Sequence, residues 1–216
     1  MLDAAIDELV RMWLDGWTLS RGTADPVAEP WGWSIDVGMV GHVARHVLPV
    51  PAEVDVRKIA DATSAPGTWL KLFADDATVR PWLDSQWRLD TPAHLMTAPL
   101  AAEGPLTPAG YTLTSWTRAG VTRVLVRTRD GHFAARGQIA VTRTIAVPDQ
   151  IETDPGHRRR GLGGLIMRTL QNTAHAAGAT TGILVASSEG RALYSTLGWT
   201  ARSPMASLCL EAPAVS

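Results

Sequence analysis

The clearest pattern of apolar and polar positions along this chain lies between residues 162 and 178. Its apolar positions recur at three- and four-residue spacing: Leu162, Leu165, Ile166 and Leu170. This spacing is typical of one face of a helix, and Gly178 supplies a helix stop. The segment before it, from Ile145 to Asp154, is predicted to be extended and is followed by Pro155. A basic, glycine-rich turn therefore links a predicted strand to a predicted helix.

The rest of the second half reads mainly as strands. Alternation and β-branched residues predict three consecutive strands, and Asp130-Gly131 is a strong hairpin signal: residues 111–117, 121–128 and 132–144. The continuous apolar run Ile183-Leu184-Val185 is typical of a central strand that pairs in parallel with the strand before the turn. Ser188 is the predicted cap of a short helix that runs to about Leu197 and ends at Gly198, and a last strand covers 206–210. The pattern predicts an α/β (α+β) fold with a mixed, mostly antiparallel sheet and a central parallel strand pair flanked by helices.

The first half gives a different pattern. Residues 2–20 form an amphipathic helix, 31–38 show weak strand alternation, and 94–98 form a short strand. Residues 54–89 are predicted to be helical, with breaks at Pro66-Gly67 and at Pro81. Proline and glycine concentrate between 99 and 110, so we place a boundary near 105. The chain then divides into a mostly helical part, 1–105, and a second domain, 106–216.

Composition excludes several classes of protein. The chain has 216 residues and a net charge of -1, which gives no general attraction to nucleic acid or anionic lipid. No apolar run approaches the ~18 residues of a membrane span, and the acidic start Met1-Leu2-Asp3 is unlike a signal peptide, so a cytoplasmic protein is expected. Cys209 is the single cysteine, which excludes an internal disulfide and predicts a buried strand residue. His42 and His46 lack an accompanying carboxylate pattern, so no metal site is expected.

Nine tryptophans are many for this length, and two interpretations of them remain open. Trp31 and Trp33 offer broad flat surfaces that suit an apolar acceptor pocket, while packing in the core or at an interface is the more common use of a tryptophan. Exposed sheet edges and the abundance of tryptophan are also compatible with a homodimer.

The turn before the helix has the chemistry of an anion site. A helix start carries unpaired N–H groups and the positive end of the helix dipole. Glycines there let a pyrophosphate touch the backbone, and arginines add charge: Arg158, Arg159, Arg160, Gly161, Leu162, Gly163 and Gly164. The Walker and dinucleotide patterns both fail, because Leu165 follows Gly164 and Met167-Arg168 follow Ile166. A different diphosphate-bearing cofactor is therefore expected.

Two blocks in this order resemble the GNAT (GCN5-related) N-acetyltransferases. The first is Arg-x-x-Gly-x-Gly at 158–163, and the second is Leu193-Tyr194-Ser195-Thr196-Leu197-Gly198-Trp199. The resemblance implies the GNAT fold and an acyl-CoA-dependent N-acyltransferase that uses acetyl-CoA (coenzyme A) and a small-molecule or peptide amine acceptor, without nucleic acid or membrane. It implies these cofactor-binding residues: Ile151, Glu152, Thr153, Arg158, Arg159, Arg160, Gly161, Leu162, Gly163, Gly164, Ser187 and Tyr194.

The resemblance also implies roles for individual side chains. Tyr194 is the expected proton donor to the leaving thiolate, although helix packing is an alternative for it. Glu152 is a candidate base, with water-mediated deprotonation or a structural ion pair as alternatives. Ser187 stands where the family often carries Asn.

The order of helices and strands departs from the family in one place, and the function has an alternative. No helices separate the first two strands after 105, so those helices come from the N-terminal half or that half is a diverged GNAT-like unit, as in tandem GNAT proteins and proteins with an FR47-like C-terminal half. A catalytically silent module that binds acyl-CoA is the alternative function.

Overall fold

The computed structural model describes residues 5–102 and 104–212. Its helices are α1 (Ile6–Arg21), α2 (Glu53–Ala62), α3 (Asp76–Val79), α4 (Leu162–Ala176) and α5 (Ser188–Thr196). Its strands are β1 (Val27–Glu29), β2 (Gly32–Met39), β3 (His42–Leu48), β4 (Thr68–Leu72), β5 (Trp87–Leu89), β6 (Ala93–Pro99), β7 (Tyr111–Arg118), β8 (Val121–Thr128), β9 (Phe133–Thr142), β10 (Ile145–Thr153), β11 (Thr181–Ser187) and β12 (Thr200–Leu210). Short 3₁₀ turns cover Arg80–Trp82 and Pro155–His157.

All of these strands belong to one mixed sheet. Its order is β1-β2-β3-β4-β12-β6-β11-β10-β9-β8-β7, and β5 pairs beside β12. The β7-β8-β9-β10 meander is antiparallel, while β10 and β11 are parallel and are joined by the crossover helix α4. The predicted mixed sheet with a central parallel strand pair flanked by helices is therefore confirmed.

The two halves of the chain exchange strands. Strand β6, from the first half, pairs antiparallel with β11 along its whole length. Strand β12, from the second half, pairs with β6 through its first residues and with β4 through Ala206–Cys209. The boundary near 105 thus separates two stretches of sequence that share one sheet, and the division into two domains stays a prediction. Cys209 is buried in β12, as expected.

Helices cover both faces of the sheet. On one face α1 buries Leu9, Trp13 and Trp17 against strands from both halves. Gly16 of α1 lies directly on Val147 of β10, where even a methyl group would overlap the valine side chain. The other face carries α2, α4 and α5, each with its own apolar cluster. The predicted amphipathic helix is confirmed, and it supplies the helix that covers the β9-β10-β11 region.

The prediction of a mostly helical first half was wrong. Within the described part of residues 5–102 there are six strands, and the predicted helical stretch 54–89 holds only α2, the short α3 and a 3₁₀ turn, with β4 and β5 beside them. The cause is visible in β4. All five of its residues are buried because β3 and β12 flank it and the sheet is covered on both faces, so its sequence shows no alternation.

A second strand–helix–strand unit lies in the first half. Strands β3 and β4 are parallel and are joined by α2, as β10 and β11 are joined by α4. No helix in the described residues is long and apolar enough to cross a membrane.

Candidate functional site

A gap opens between the two central parallel strands. Strands β10 and β11 pair only at Ile145↔Thr181 and Ala146↔Gly182, and no later pairing joins them in the described chain. Each strand nevertheless stays paired on its other side, β10 with β9 and β11 with β6. The C-terminal halves of both strands therefore diverge and present backbone N–H and C=O groups to the gap.

A cavity of about 800 Å³ fills this gap and extends over the glycine-rich turn. Eleven of the twelve residues predicted to bind a cofactor line it: Ile151, Glu152, Thr153, Arg158, Arg159, Gly161, Leu162, Gly163, Gly164, Ser187 and Tyr194. Three separate elements, β10, the turn with the start of α4, and β11 with α5, bring these residues together. Their individual roles stay predictions.

The glycine-rich turn forms an open cradle of N–H groups. Gly161 caps α4 in the left-handed conformation, with φ 79°, and no side chain caps the helix. The first intrahelical bond of this turn joins the Leu165 N–H to the Gly161 carbonyl at 3.0 Å, so the N–H groups of residues 162–164 have no acceptor within the helix. A Cβ on Gly163 would lie 2.8 Å from Leu193 Cδ2, so glycine also permits the close approach of α5.

The three arginines of the turn differ in where they point. Arg158 and Arg159 line the cavity, and Arg158 approaches Glu189 only at 3.9 Å, with both side chains exposed. Arg160 does not line it: its Nη1 donates to the Tyr111 hydroxyl at 3.2 Å. The same hydroxyl lies 3.0 Å from His157 Nδ1. Tyr111 thus anchors the turn to β7, a role that nothing in the local sequence indicates.

Strand β10 carries a bulge beside the cavity. Its pairing with β9 shifts between Asp149 and Glu152, and Gln150 has φ 53°. Asp149 is held by the end of α1, because the Arg21 guanidinium donates to both carboxylate oxygens and Ser20 Oγ donates at 3.2 Å. Nothing in the sequence indicates this connection, since the partners lie about 130 residues apart and neither belongs to a motif.

Tyr194 sits on α5 at the edge of the cavity. Its side chain is 8% exposed and its ring centroid is 6.2 Å from that of Trp199. Burial, followed by the nearby Asp149 carboxylate, raises the pKa of Tyr194 to about 12. The phenol is therefore protonated throughout the neutral range and is available as a proton donor.

Two other predicted residues already have partners. The Glu152 carboxylate accepts from Arg136 Nε at 2.8 Å, and about half of each side chain is exposed. Ser187 Oγ accepts from the Gly190 N–H at 3.2 Å and caps α5. The helix cap is thus Ser187, where the sequence had indicated Ser188, because a helix that begins one residue earlier places the hydroxyl at the capping position.

The first-half unit offers no comparable site. Strands β3 and β4 pair without a gap from Ala44↔Thr68 to Leu48↔Leu72. The turn before α2 carries prolines where the other has glycines, and Glu53 and Asp55 make its first helical turn acidic. Trp31 and Trp33 pack against apolar clusters and line neither this cavity nor the smaller one at the end of α1.

Comparison with known proteins gives structural matches alone. No protein-family model and no curated protein matches the sequence. A GCN5-related N-acetyltransferase from Kribbella flavida is similar at a TM-score of 0.67 and 19% identity, over 99% of this chain and 98% of that one. A GNAT-family protein from Novosphingobium aromaticivorans is similar at 0.62 and 18%, over 98% and 100% of the two chains.

A tandem GNAT protein from the clavulanic acid biosynthesis pathway is similar at a TM-score of 0.52 and 12% identity, over 75% of this chain and 69% of that one. At such identities the likeness shows the fold. The chain therefore has the GNAT fold, as the two sequence blocks had indicated.

Proposed function

We propose that this chain, which has the GNAT fold, is an acyl-CoA-dependent N-acyltransferase that transfers an acetyl group from acetyl-CoA to a primary amine. One observation carries the proposal: a cradle of free N–H groups at the start of α4 opens directly onto the gap between β10 and β11. A pyrophosphate fits the cradle, and an extended amide-bearing arm fits a gap lined by unpaired strand edges.

The cradle matches a pyrophosphate in both shape and charge. A Cβ on Gly161 would meet nothing within 4 Å, so the space above the turn is open. Arg158 and Arg159 flank that space, and hydrogen bonds from guanidinium and backbone N–H groups to phosphate oxygens are charge-assisted. Ile151, Glu152 and Thr153 would bind the pantetheine arm through their backbone, and Ser187 contributes a hydroxyl that already caps α5.

When bound, acyl-CoA supplies a thioester carbonyl for a neutral amine to attack, with the new C–N bond replacing the C–S bond. Tyr194 provides the proton that the departing sulfur needs, since its hydroxyl is buried beside the cavity and stays protonated. We assign deprotonation of the amine to water, because the Glu152 carboxylate is engaged by Arg136.

The first half then has a supporting role. Its strand–helix–strand unit, its lack of a gap and the exchange of β6 for β12 support the idea that residues 1–105 are a diverged GNAT-like unit without a cofactor site. Its contribution to the site is structural: the end of α1 holds Asp149 beside the bulge.

The test is thiol release from acetyl-CoA in the presence of a broad panel of primary amines, with mass spectrometry of the products. Amine-dependent thiol release together with an amine heavier by one acetyl group supports the proposal. Tight binding of acetyl-CoA without turnover on any amine would refute the enzyme and favour a silent acyl-CoA-binding module.

A further inference from the structure

A second, smaller cavity lies on the α1 face of the sheet, and we call it the arginine cavity. Its volume is about 350 Å³, and it is lined by the end of α1 and by strands β7 to β10. The lining residues that matter here are Arg21, Trp116, Arg123, Arg136, Gln138 and Gln150. These side chains come from five elements, so the cavity is a product of the fold and not of one loop.

The arginine cavity adjoins the cofactor cavity. Gln150, the residue with φ 53° in the β10 bulge, lines both of them. Asp149 lines the larger cavity and holds Arg21, which lines the smaller one. A molecule in the arginine cavity therefore reaches the bulge from the side opposite to α4.

The charges in the arginine cavity do not cancel. The Arg21 guanidinium pairs with Asp149, and the Arg136 guanidinium pairs with Glu152. The Arg123 guanidinium has no ion pair and no hydrogen bond within the described chain, although the residue is partly buried in β8. None of the described residues that line the cavity is acidic. One guanidinium is thus left to bind an anion from outside the chain.

The remaining walls limit what the cavity accepts. Trp116 presents an indole that is 46% exposed, and Leu125 adds apolar surface. The side-chain amide of Gln138 already has hydrogen-bond acceptors, since its Nε2 donates to the Ser20 carbonyl at 2.8 Å and to Ser20 Oγ at 2.7 Å. The positive excess continues beneath α1, where Arg45 lies 4.3 Å from the Trp17 ring centroid and forms no ion pair in the described residues.

We propose that the arginine cavity binds the acceptor, and that the acceptor is a small amine carrying a carboxylate or a phosphate that Arg123 binds. This assignment rests on the proposed function, because it needs an acyl donor on the other side of the bulge. A planar guanidinium matches either anion with paired hydrogen bonds. Surrounding positive charge also disfavours the ammonium form of the bound amine, which prepares it for attack without a dedicated base. Polyamines and lysine-rich peptides are excluded by the same charge.

The test is calorimetric binding to the CoA-saturated protein of two matched pairs, phenylalanine against phenylalaninamide and phosphoethanolamine against ethanolamine. We expect the anionic member of at least one pair to bind at least tenfold more tightly, and the pair that responds identifies the anion. Arg123→Ala should remove this preference and Arg123→Lys should keep part of it. Arg127→Ala is the matched control, because Arg127 lies four residues along the same strand, pairs with Thr112 as Arg123 pairs with Trp116, and does not line the cavity.

Three results would each overturn the inference: equal affinity within both pairs, a preference that survives Arg123→Ala, or no binding of either anionic compound. Because binding is measured without turnover, an inactive protein that still shows the Arg123-dependent preference would refute the proposed function and the acceptor role, and would leave only an anion site at Arg123. Turnover of amines at rates that do not depend on a carboxylate or phosphate would support the proposed function and refute this inference.

Discussion

Lys71 is a buried cation whose cost to stability can be calculated. It lies in β4 between β3 and β12 and is 7% exposed. Its ammonium is 4.2 Å from the Trp69 ring centroid, and no carboxylate pairs with it in the described chain. Burial, with a smaller contribution from Arg45, lowers the pKa of Lys71 from 10.5 to about 7. At 1.36 kcal/mol per pKa unit, this shift costs on the order of 5 kcal/mol of stability at low pH.

The sign of the pH dependence follows from the same shift. Between pH 7 and pH 10.5 the unfolded chain binds the proton that the folded chain has released, so stability rises with pH through this range. The full cost is present below pH 7 and is gone above pH 10.5. We expect Lys71→Met, which keeps the apolar stem, to be more stable than the parent by several kcal/mol at pH 6, with the difference shrinking towards zero by pH 10.5.

Urea unfolding followed by tryptophan fluorescence at pH 6, 8 and 10 measures this difference. Lys58→Met on the exposed side of α2 is the matched control and should change stability by less than about 0.5 kcal/mol at every pH. A Lys71→Met protein that is no more stable than the parent at pH 6, or a difference that does not vary with pH, would show that the ammonium has a partner and would refute the reasoning.

Two further predictions concern the candidate site. Tyr194→Phe should lower kcat by ~100-fold or more while changing the Kd for CoA by less than about twofold. Because the pKa of Tyr194 is about 12, the parent rate should not fall up to pH 10 in the thiol-release assay. An unchanged kcat in Tyr194→Phe would exclude the donor role. Arg21→Ala leaves Asp149 with Ser20 as its only partner and should lower the free energy of unfolding in urea by about 1–3 kcal/mol. Arg57→Ala, which breaks an exposed pair with Glu53, should lower it by less than about 0.5 kcal/mol. Equal losses in the two variants would contradict the structural role of Arg21.

Local sequence patterns were sufficient to predict the main helices and strands in the second half of the chain. The helix over 162–176 and the hairpin at Asp130-Gly131 depend on residues close together in sequence, and both are confirmed. The glycine-rich turn was predicted for the same reason. The prediction for β4 was wrong because a strand covered on both faces loses its alternation of apolar and polar residues. The sequence from Trp69 to Leu72 then resembles a buried helix.

The remaining features depend on contacts between distant residues. The exchange of β6 and β12 joins strands that lie far apart in sequence, such as Pro99 with Thr181 and Leu72 with Ala206, and no periodicity in either strand indicates its partner. The arginine cavity likewise combines Arg21, Arg123 and Arg136 from three elements. Each of these arginines in isolation reads as an ordinary surface charge, so only the fold reveals that one of them lacks a counterion.

The central claim is that the gap between β10 and β11 binds acyl-CoA through the cradle at the start of α4. Calorimetric titration with acetyl-CoA tests it most directly, using Gly161→Glu and, as a matched control, Gly178→Glu. Both glycines have positive φ, 79° and 92°, and open surroundings, and they flank opposite ends of the same helix. Both variants therefore place the same added charge at a left-handed position. We predict saturable binding to the parent and to Gly178→Glu, and its loss in Gly161→Glu. Equal binding by both variants, or none by the parent, would contradict it.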